Sequence, residues 1–389
     1  MIYLDNAATT EIDPVVLDEM MPYLTEEYGN AGGLYDLGFK AKKAIERARE
    51  KVAAFVGAES PDQIIFTSGG TESNNTVFHS YGMIGDRSRG IVVSSIEHDS
   101  VLRPAEFLKT KFGFGLTHVK PDCLGRVAIN DFKKILDAEN VGFVSIMYMN
   151  NEIGSINDIG ALVDVCKGRD ILFHSDFVQA AGCIDIRAND LGVDFASISS
   201  HKIHGPKGVG ALYVKDKDNL VPMILGGGAQ EYGFRGGTEN VAGLVGFGKA
   251  CELAYDYIKP GNYYTSVTSM KRTFWSTLVR RLEECRKGHV VHDNAASSIF
   301  YGKTLNVRFD GVDAEALVVL LGTKGVYVSA GSACTSHEQK ASHVLTGIGL
   351  PDETARESIR ISVSKFNTLQ EMEEAATTVA DSVVELLGN

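Results

Sequence analysis

The sequence predicts an α/β fold with a mainly parallel sheet in a large domain, followed by a smaller α+β domain. Three observations favour this class: short apolar strands alternate with amphipathic helices, five strands run directly into polar clusters, and the helical pattern breaks near residues 255–264. In open α/β sheets, ligands bind outside the carboxyl ends of the strands. We therefore expect the five polar clusters to line one site.

The first element that the periodicity predicts is a helix over residues 40–56, with Gly57 as its stop signal. Strands are predicted next at residues 63–67, 91–95, 143–147, 171–174 and 195–199. The polar residues that follow these strands include Thr71, His98, Asn151, Asp176, Gln179 and Lys202. Beyond the break, helices and strands alternate again, which is typical of a second domain.

Composition and charge exclude several functional classes. The net charge of −12 comes from 50 acidic and 38 basic residues without a basic stripe, which argues against nucleic acid as a direct partner. The six cysteines show no CxxC motif and no metal-ligand spacing, so we expect reduced thiols, no metal site and a cytoplasmic location. Neither a secretory signal nor an apolar run of membrane-spanning length is visible.

A glycine-rich loop at residues 68–75 (SGGTESNN) joins the first of the five strands to a helix. Glycines there let backbone N–H groups approach an anion, which the N-terminus of the helix also favours. Thr71 can cap the helix and donate to a phosphate. Taken alone, the same pattern also suits a simple turn with a threonine cap.

Lys202 follows the last of the five strands and precedes another glycine-rich stretch at residues 205–210. A lysine in this setting suits Schiff-base chemistry, because burial leaves a nucleophilic amine. Asp176, at the end of a neighbouring strand, suits the ring nitrogen of pyridoxal phosphate, which a carboxylate keeps protonated. An isolated loop lysine would be unremarkable, but the phosphate loop, the lysine and the carboxylate together indicate a cofactor site.

Cys334 lies among small and hydroxylated residues, unlike the five other cysteines, whose neighbours are apolar or helical. This exposed setting suits a thiolate nucleophile, although a spare loop cysteine would look the same. His98 suits a stacking or acid–base role, and a structural histidine at a strand end is the alternative.

At this point the sequence resembles the cysteine desulfurases of the class-V aminotransferases, in the branch that contains the housekeeping and nitrogen-fixation enzymes. The similar segments follow one another along the chain: residues 3–10 (YLDNAATT), 66–74 (FTSGGTESN), 150–154 (NNEIG), 200–208 (SHKIHGPKG), 331–336 (GSACTS) and 358–362 (SIRIS). The resemblance implies fold type I of the pyridoxal-phosphate enzymes, with a seven-stranded sheet, as a homodimer. It divides the chain into residues 1–15, which join the small domain, a large domain of residues 16–258, and a small domain of residues 259–389 with the active-cysteine loop.

The resemblance also implies a role for each site residue. Lys202 would hold pyridoxal 5′-phosphate as a Schiff base, with Asp176 on the ring nitrogen and His98 stacked on the ring. The remaining cofactor contacts would come from Gln179 on the ring hydroxyl, from Asn151, and, around the phosphate, from Gly70, Thr71, Ser199, His201 and the other subunit's Thr238. The substrate carboxylate would be bound by Asn30, Asn151 and Arg360.

The implied reaction removes sulfur from L-cysteine, leaving L-alanine and a persulfide on Cys334. The acceptor of that sulfur stays open between an iron–sulfur scaffold, a tRNA-thiolation enzyme and a DNA-modification complex. Residues 30–35 (NAGGLY) and Phe177 depart from the family pattern. We expect these departures to affect the choice of partner and the reaction rate more than the type of reaction.

Other functions match these residues less well. A selenocysteine lyase or an aminotransferase of the same fold would not need Cys334. A non-catalytic scaffold protein would not need Lys202, Asp176 and Cys334 together. A nicotinamide-binding enzyme is disfavoured because no GxGxxG follows the first strand.

Overall fold

The computed structural model describes residues 1–226, 228, 230–259, 261–294, 302–331 and 341–388. Its strands are β1 (Ile2–Tyr3), β2 (Ile64–Thr67), β3 (Gly90–Ser94), β4 (Leu116–Val119), β5 (Val141–Ser145), β6 (Leu172–Asp176), β7 (Phe195–Ser199), β8 (Gly210–Val214), β9 (Val291–Asp293), β10 (Thr304–Phe309), β11 (Val326–Tyr327) and β12 (Ser358–Ser362). Its helices are α1 (Pro14–Thr25), α2 (Asp36–Val56), α3 (Gly70–Ile84), α4 (Asp99–Phe112), α5 (Ile129–Ala138), α6 (Ile159–Cys166), α7 (Ala188–Leu191), α8 (Val241–Ile258), α9 (Asn262–Glu284), α10 (Ala314–Thr323), α11 (His343–Gly347), α12 (Asp352–Ala355) and α13 (Leu369–Leu387).

A seven-stranded sheet in the order β2-β8-β7-β6-β5-β3-β4 forms the centre of the molecule. Its strands are parallel except β8, which runs antiparallel to both β2 and β7. This arrangement confirms the predicted α/β class with a mainly parallel sheet. Helices cover both faces, and the apolar runs of the inner strands are buried throughout, as two-sided coverage requires.

The five strands predicted ahead of polar clusters all form, with small shifts at their ends. The largest shift is at β5, which ends at Ser145 rather than at the predicted Met147. The Met147 N–H donates to the buried Glu97 Oε1 at 2.7 Å instead of to a neighbouring strand. Helix α2 begins at Asp36, earlier than predicted, and Tyr35 at its N-cap makes no side-chain capping bond that the sequence could have signalled.

The C-terminal part of the chain forms a second sheet and its own helical layer. Strands β9, β10 and β12 pair antiparallel in the order β12-β10-β9, and α9 packs along α13. At the start of the chain, β1 pairs in parallel with β11. Helix α8 ends at Ile258 and α9 begins at Asn262, while the division into domains stays a prediction.

The carboxyl ends of the parallel strands meet at one edge of the central sheet. There β2 leads into α3, β3 into His98, β5 into Asn151, β6 ends on Asp176, and β7 leads into Lys202. Within the described residues, no helix combines the length and apolar character that crossing a bilayer demands.

Candidate active site

A cleft at this edge of the sheet brings most of the predicted site residues together. Its volume is about 870 Å³, open mouth included. The predicted residues that line it are Gly70, Thr71, His98, Asn151, Asp176, Gln179, Ser199, His201, Lys202 and Arg360. Cys334 lies outside the described residues. Asn30 and Thr238 are exposed and do not line the cleft of this chain.

One end of the cleft is formed by the N-terminus of α3. Its N-cap, Gly69, has φ 149°, a backbone conformation that favours glycine. A Cβ on Gly70 would lie 2.6 Å from Val178 Cγ2, and one on Gly210 would lie 2.6 Å from the Gly69 Cα. The first turn of α3 can therefore pack closely only with glycines, and its N–H groups, with Thr71 and Ser199 beside them, suit the binding of an anion.

The Lys202 side chain is held by the N-terminal segment of the chain. Its Nζ donates to the carbonyl oxygens of Ala7 at 2.6 Å and Ala8 at 2.7 Å. Gln179 Nε2 donates to the same Ala7 oxygen at 2.9 Å. The segment 3–10, which carries one of the family motifs, thus positions the amine at the base of the cleft.

Asp176 ends a hydrogen-bonded chain that the sequence did not predict. Its Oδ2 accepts from Asn74 Nδ2 at 2.8 Å, and that amide also donates to Ser100 Oγ at 2.8 Å. The Ser100 hydroxyl in turn lies 2.8 Å from His98 Nδ1. The Ser100 backbone N–H also donates to His98 Nδ1 at 3.1 Å, so Nδ1 is an acceptor and the proton of a neutral His98 is placed on Nε2.

Glu97, the residue before His98, is a buried carboxyl group that the sequence also did not predict as part of the site. Its side chain is fully buried, and burial raises its pKa well above the ordinary value, with a smaller contribution from the negative charge of Asp176. Burial therefore favours the protonated, neutral form of Glu97. The only sequence feature that pointed to Glu97 was its position after a strand, next to His98.

His201, at the phosphate end, is also uncharged at neutral pH. Burial, followed by the positive charges of Lys202, Lys303 and Lys207, lowers its pKa to about 4. Its Nδ1 lies 3.1 Å from Thr9 Oγ1. A neutral imidazole can donate one N–H to a phosphate oxygen without bringing a charge of its own.

Arg360 forms the opposite end of the cleft. It is only 2% exposed, although it projects from the short strand β12. Its Nη2 pairs with Asp5 Oδ1 at 2.7 Å and its Nη1 donates to the Asn151 carbonyl oxygen at 3.2 Å. Its Nε has no partner among the described residues, which leaves a donor for an incoming carboxylate.

Asn30 and Thr238 lie outside the cleft of this chain. The Asn30 Oδ1 accepts from the Gly32 N–H at 2.8 Å, within its own loop. Thr238 follows Arg235, whose Nε pairs with Glu72 Oε1 at 3.1 Å on the first turn of α3. Their predicted contacts with substrate and phosphate stay predictions.

The residues present fit pyridoxal phosphate. An amine, a buried carboxylate and a helix N-terminus line one cleft, and each matches one part of that cofactor: the aldehyde carbon, the ring nitrogen and the phosphate. The guanidinium of Arg360, whose Nε has no partner among the described residues, is a group that suits a carboxylate. Among the described residues, no group of His, Cys, Asp or Glu side chains could hold a metal ion.

Comparison with known proteins places this arrangement in a family. Residues 2–374 match the aminotransferase class-V family. The cysteine desulfurase IscS of Dictyoglomus turgidum is 41% identical over 372 residues, which make up 95% of this chain and 91% of that protein. The cysteine desulfurase IscS of Methanosarcina thermophila is 38% identical over 386 residues, 99% of this chain and 92% of that protein.

Solved structures agree with this likeness. A NifS-like protein superposes with a TM-score of 0.87 at 36% identity, covering 98% of both chains. The structure of SspA in complex with cysteine superposes with a TM-score of 0.79 at 32% identity, covering 95% of this chain and all (100%) of that one.

Proposed function

The chain belongs to the class-V aminotransferase family, and we propose that within it the protein is a pyridoxal-phosphate-dependent cysteine desulfurase. The proposed reaction takes sulfur from L-cysteine, releases L-alanine and leaves a persulfide on Cys334. The observation that carries it is one cleft lined by the Lys202 amine, the Asp176 carboxylate, the N-terminus of α3 and Arg360. Relatives named cysteine desulfurase, and a similar structure that holds cysteine, support the substrate.

In this proposal, Lys202 holds the cofactor covalently and Asp176 binds its ring nitrogen. His98 stacks on the ring and Gln179 binds its hydroxyl group. The phosphate is bound by the remaining cofactor residues, which are Gly70, Thr71, Ser199, His201 and Thr238 of a second subunit. When bound, pyridoxal phosphate supplies an electron sink for the bonding pair released at the substrate Cα.

The chain's own groups then perform binding and proton transfer. Arg360 and Asn151, helped by Asn30, orient the substrate carboxylate, and only a guanidinium offers two parallel donors for it. Lys202 Nζ, which donates to the Ala7 and Ala8 carbonyl oxygens at the base of the cleft, would take the proton from the substrate Cα as a general base. His98 Nε2 lies on the same wall and is the second proton-carrying group of the cleft.

Cys334 accepts the sulfur. Its thiolate attacks the sulfur of the substrate, an S–S bond forms, and the C–S bond breaks with its electron pair remaining on the substrate carbon. Protonation of that carbon and return of a proton to Cα give alanine. The persulfide then passes its outer sulfur to an acceptor protein, of the iron–sulfur, tRNA-thiolation or DNA-modification type.

The test is a product assay on purified protein with L-cysteine and a reductant. We expect a yellow wild-type protein that releases alanine and sulfide, and a Cys334→Ala variant that stays yellow and releases neither. Cys123→Ala is the matched control, because Cys123 is an exposed free thiol elsewhere on the surface. Normal turnover by Cys334→Ala would instead indicate a lyase that needs no protein thiol.

We also infer a homodimer. Helix α1, the following loop and the first turn of α2 expose large apolar side chains, which include Val15, Leu17, Met21, Leu24, Leu34, Tyr35 and Phe39. An exposed apolar surface of this kind is typical of a protein–protein interface, and Asn30 lies in the same segment. Sedimentation of wild type against Leu24→Glu would test the dimer, since a monomeric wild type contradicts it.

A cytoplasmic location is part of the same proposal. It is supported by Cys166 and Cys251, which are buried free thiols of the kind that reducing compartments preserve. Fractionation of cells that express the protein would test it.

A further inference from the structure

A second cavity lies behind Lys202, on the side of its main chain that faces away from the cleft. Its volume is about 450 Å³, open mouth included. Strand β10 begins at its wall, and Lys303, the residue just before β10, projects into it. The proposed desulfurase reaction assigns no role to this cavity.

Lys303 places a buried amine in this cavity. The residue is 5% exposed, and its Nζ donates to the Lys202 carbonyl oxygen at 3.2 Å. Burial lowers its pKa, the Cys183 thiol opposes that shift, and the Arg360 guanidinium adds to it. Within the described part of the chain, no carboxylate pairs with Lys303, and residues 295–301 just before it carry no acidic side chain.

Lys202, which also lines the cavity, donates to the carbonyl oxygens of Ala7 and Ala8, whereas other cations on or near the cavity interact with carboxylates. Lys365 pairs with Asp13, and Arg360 pairs with Asp5. Lys271, a second buried lysine near Cys183, is acted on by the carboxylate of Asp293. Among the described residues, Lys303 thus has a carbonyl partner and no carboxylate partner, unlike Lys365.

The uncharged polar groups of the cavity are likewise engaged with the protein. Tyr263 Oη donates to Cys183 Sγ at 2.8 Å, and Thr10 Oγ1 donates to the His201 carbonyl oxygen at 3.0 Å. Asn6 Nδ2 donates to the Ser362 carbonyl oxygen at 2.9 Å. The ammonium group of Lys303, which has three donors and one carbonyl partner, has capacity left for a ligand.

The remaining wall of the cavity is apolar. It is formed by Ile203, Leu253, Ala254, Tyr257 and Val363. A ligand that matches both parts combines one negative head group with a short apolar chain. Because a buried ammonium without a counter-ion is costly, an anion that pairs with it binds favourably.

We propose that this cavity is a second binding site, which takes a small monocarboxylate with a short apolar chain. The carboxylate pairs with Lys303 Nζ, and the chain lies against the apolar wall. Since Lys303 also donates to the main chain of Lys202, the occupant lies against the segment that carries the catalytic amine. This site is independent of the desulfurase reaction and is tested without turnover.

The probe is sodium butyrate, added to the holoenzyme while thermal unfolding is followed. Butyramide, which has the same chain but no charge, is the ligand control, at ionic strength matched with sodium chloride. The test variant is Lys303→Met, which keeps the chain length and removes the charge. Lys324→Met is the protein control, because Lys324 is a surface lysine paired with Glu385.

We expect butyrate to raise the unfolding midpoint of wild type and of Lys324→Met by about 2 °C, with saturation. No saturable shift is expected with butyramide or in Lys303→Met. Equal shifts from butyrate and butyramide, or an equal response of Lys303→Met, would overturn the proposal. The latter result would also place butyrate at Arg360, which Lys303→Met leaves intact.

Discussion

The two sides of Lys202 differ in how their charges are balanced. In the cleft, Arg360 pairs with the carboxylate of Asp5, and Asp176 accepts from the Asn74 amide. In the cavity behind it, the hydrogen-bond partner of Lys303 among the described residues is the carbonyl oxygen of Lys202. Both sides are buried, so removing water from a charged group costs a similar amount on each side. The two sides differ in the partners that their charged groups have.

This difference indicates how the protein holds the polar groups on each side of Lys202. The cleft is arranged by the protein before any ligand arrives, which is the condition for electrostatic stabilisation without reorganisation during reaction. The cavity holds an unpaired ammonium that an anion would stabilise. Mutations in the cleft should therefore change the reaction, whereas mutations in the cavity should change stability and ligand binding.

The largest expected effect is that of Lys202→Ala. The variant loses the amine that both attaches the cofactor and moves the Cα proton, so we expect alanine formation to fall by about 10³-fold or more. The visible absorbance of the lysine-bound cofactor should disappear as well. Lys207→Ala, in the same loop, is the control. Retained visible absorbance in Lys202→Ala would show that another amine binds the cofactor.

Asp176→Asn should have the next largest effect. It removes the charge that keeps the ring nitrogen protonated, and we expect kcat to fall by about 10²-fold. Folding should be preserved, since the Val178 N–H can still donate to the new amide oxygen, and the Asn74 amide, whose Oδ1 has no partner among the described residues, can turn to accept from the new NH2 group. The measurement is kcat together with the absorbance spectrum. Asp190→Asn, at the surface beside Arg187, is the control, and an unchanged kcat in Asp176→Asn would remove this role.

Arg360→Lys tests the substrate end of the cleft. A lysine keeps the charge but loses the two parallel donors, so we expect KM for L-cysteine to rise by about 10- to 100-fold with a smaller change in kcat. Steady-state kinetics separate the two constants. A fall in kcat at constant KM would mean that Arg360 acts on a later step than substrate binding.

The smallest effect is expected from the buried lysines behind Lys202, and it concerns stability. Burial lowers the pKa of Lys271 from 10.5 to about 7. Between these values the unfolded chain holds a proton that the folded chain lacks, so wild-type stability rises with pH, by about 1.4 kcal/mol per pH unit from this group. Below pH 7 both states are protonated and the cost of burial is present in full.

Lys271→Met removes this dependence. Relative to wild type, the variant should therefore be most stable at or below pH 7 and lose that advantage as the pH rises towards 10. Unfolding midpoints at pH 7, 8 and 9, with Lys324→Met as control, measure the trend. A difference that does not change with pH would show that Lys271 stays charged in the folded protein.

Much of the fold and most of the cleft could be predicted from the sequence. Short apolar runs predict the strands. The polar residues that follow them, such as Asp176 and Lys202, share one edge of the sheet because parallel strands end there. The glycines before Thr71 mark a close backbone approach in any context. The hydrogen-bonded chain from His98 to Asp176 was not predictable, because Asn74 and Ser100 are ordinary helix residues until α3 and α4 lie side by side.

The sequence by itself determined what depends on neighbours along the chain: periodicity, turn chemistry and the short motifs that carry Lys202, Asp176 and Cys334. Only the tertiary structure decided which distant groups share a cavity. Lys303 is 101 positions from Lys202, and Tyr263 is 80 positions from Cys183, yet both pairs are in hydrogen-bonding contact. No local pattern encodes such contacts, because the charge of a lysine becomes costly only when the packing of two sheets removes water from it.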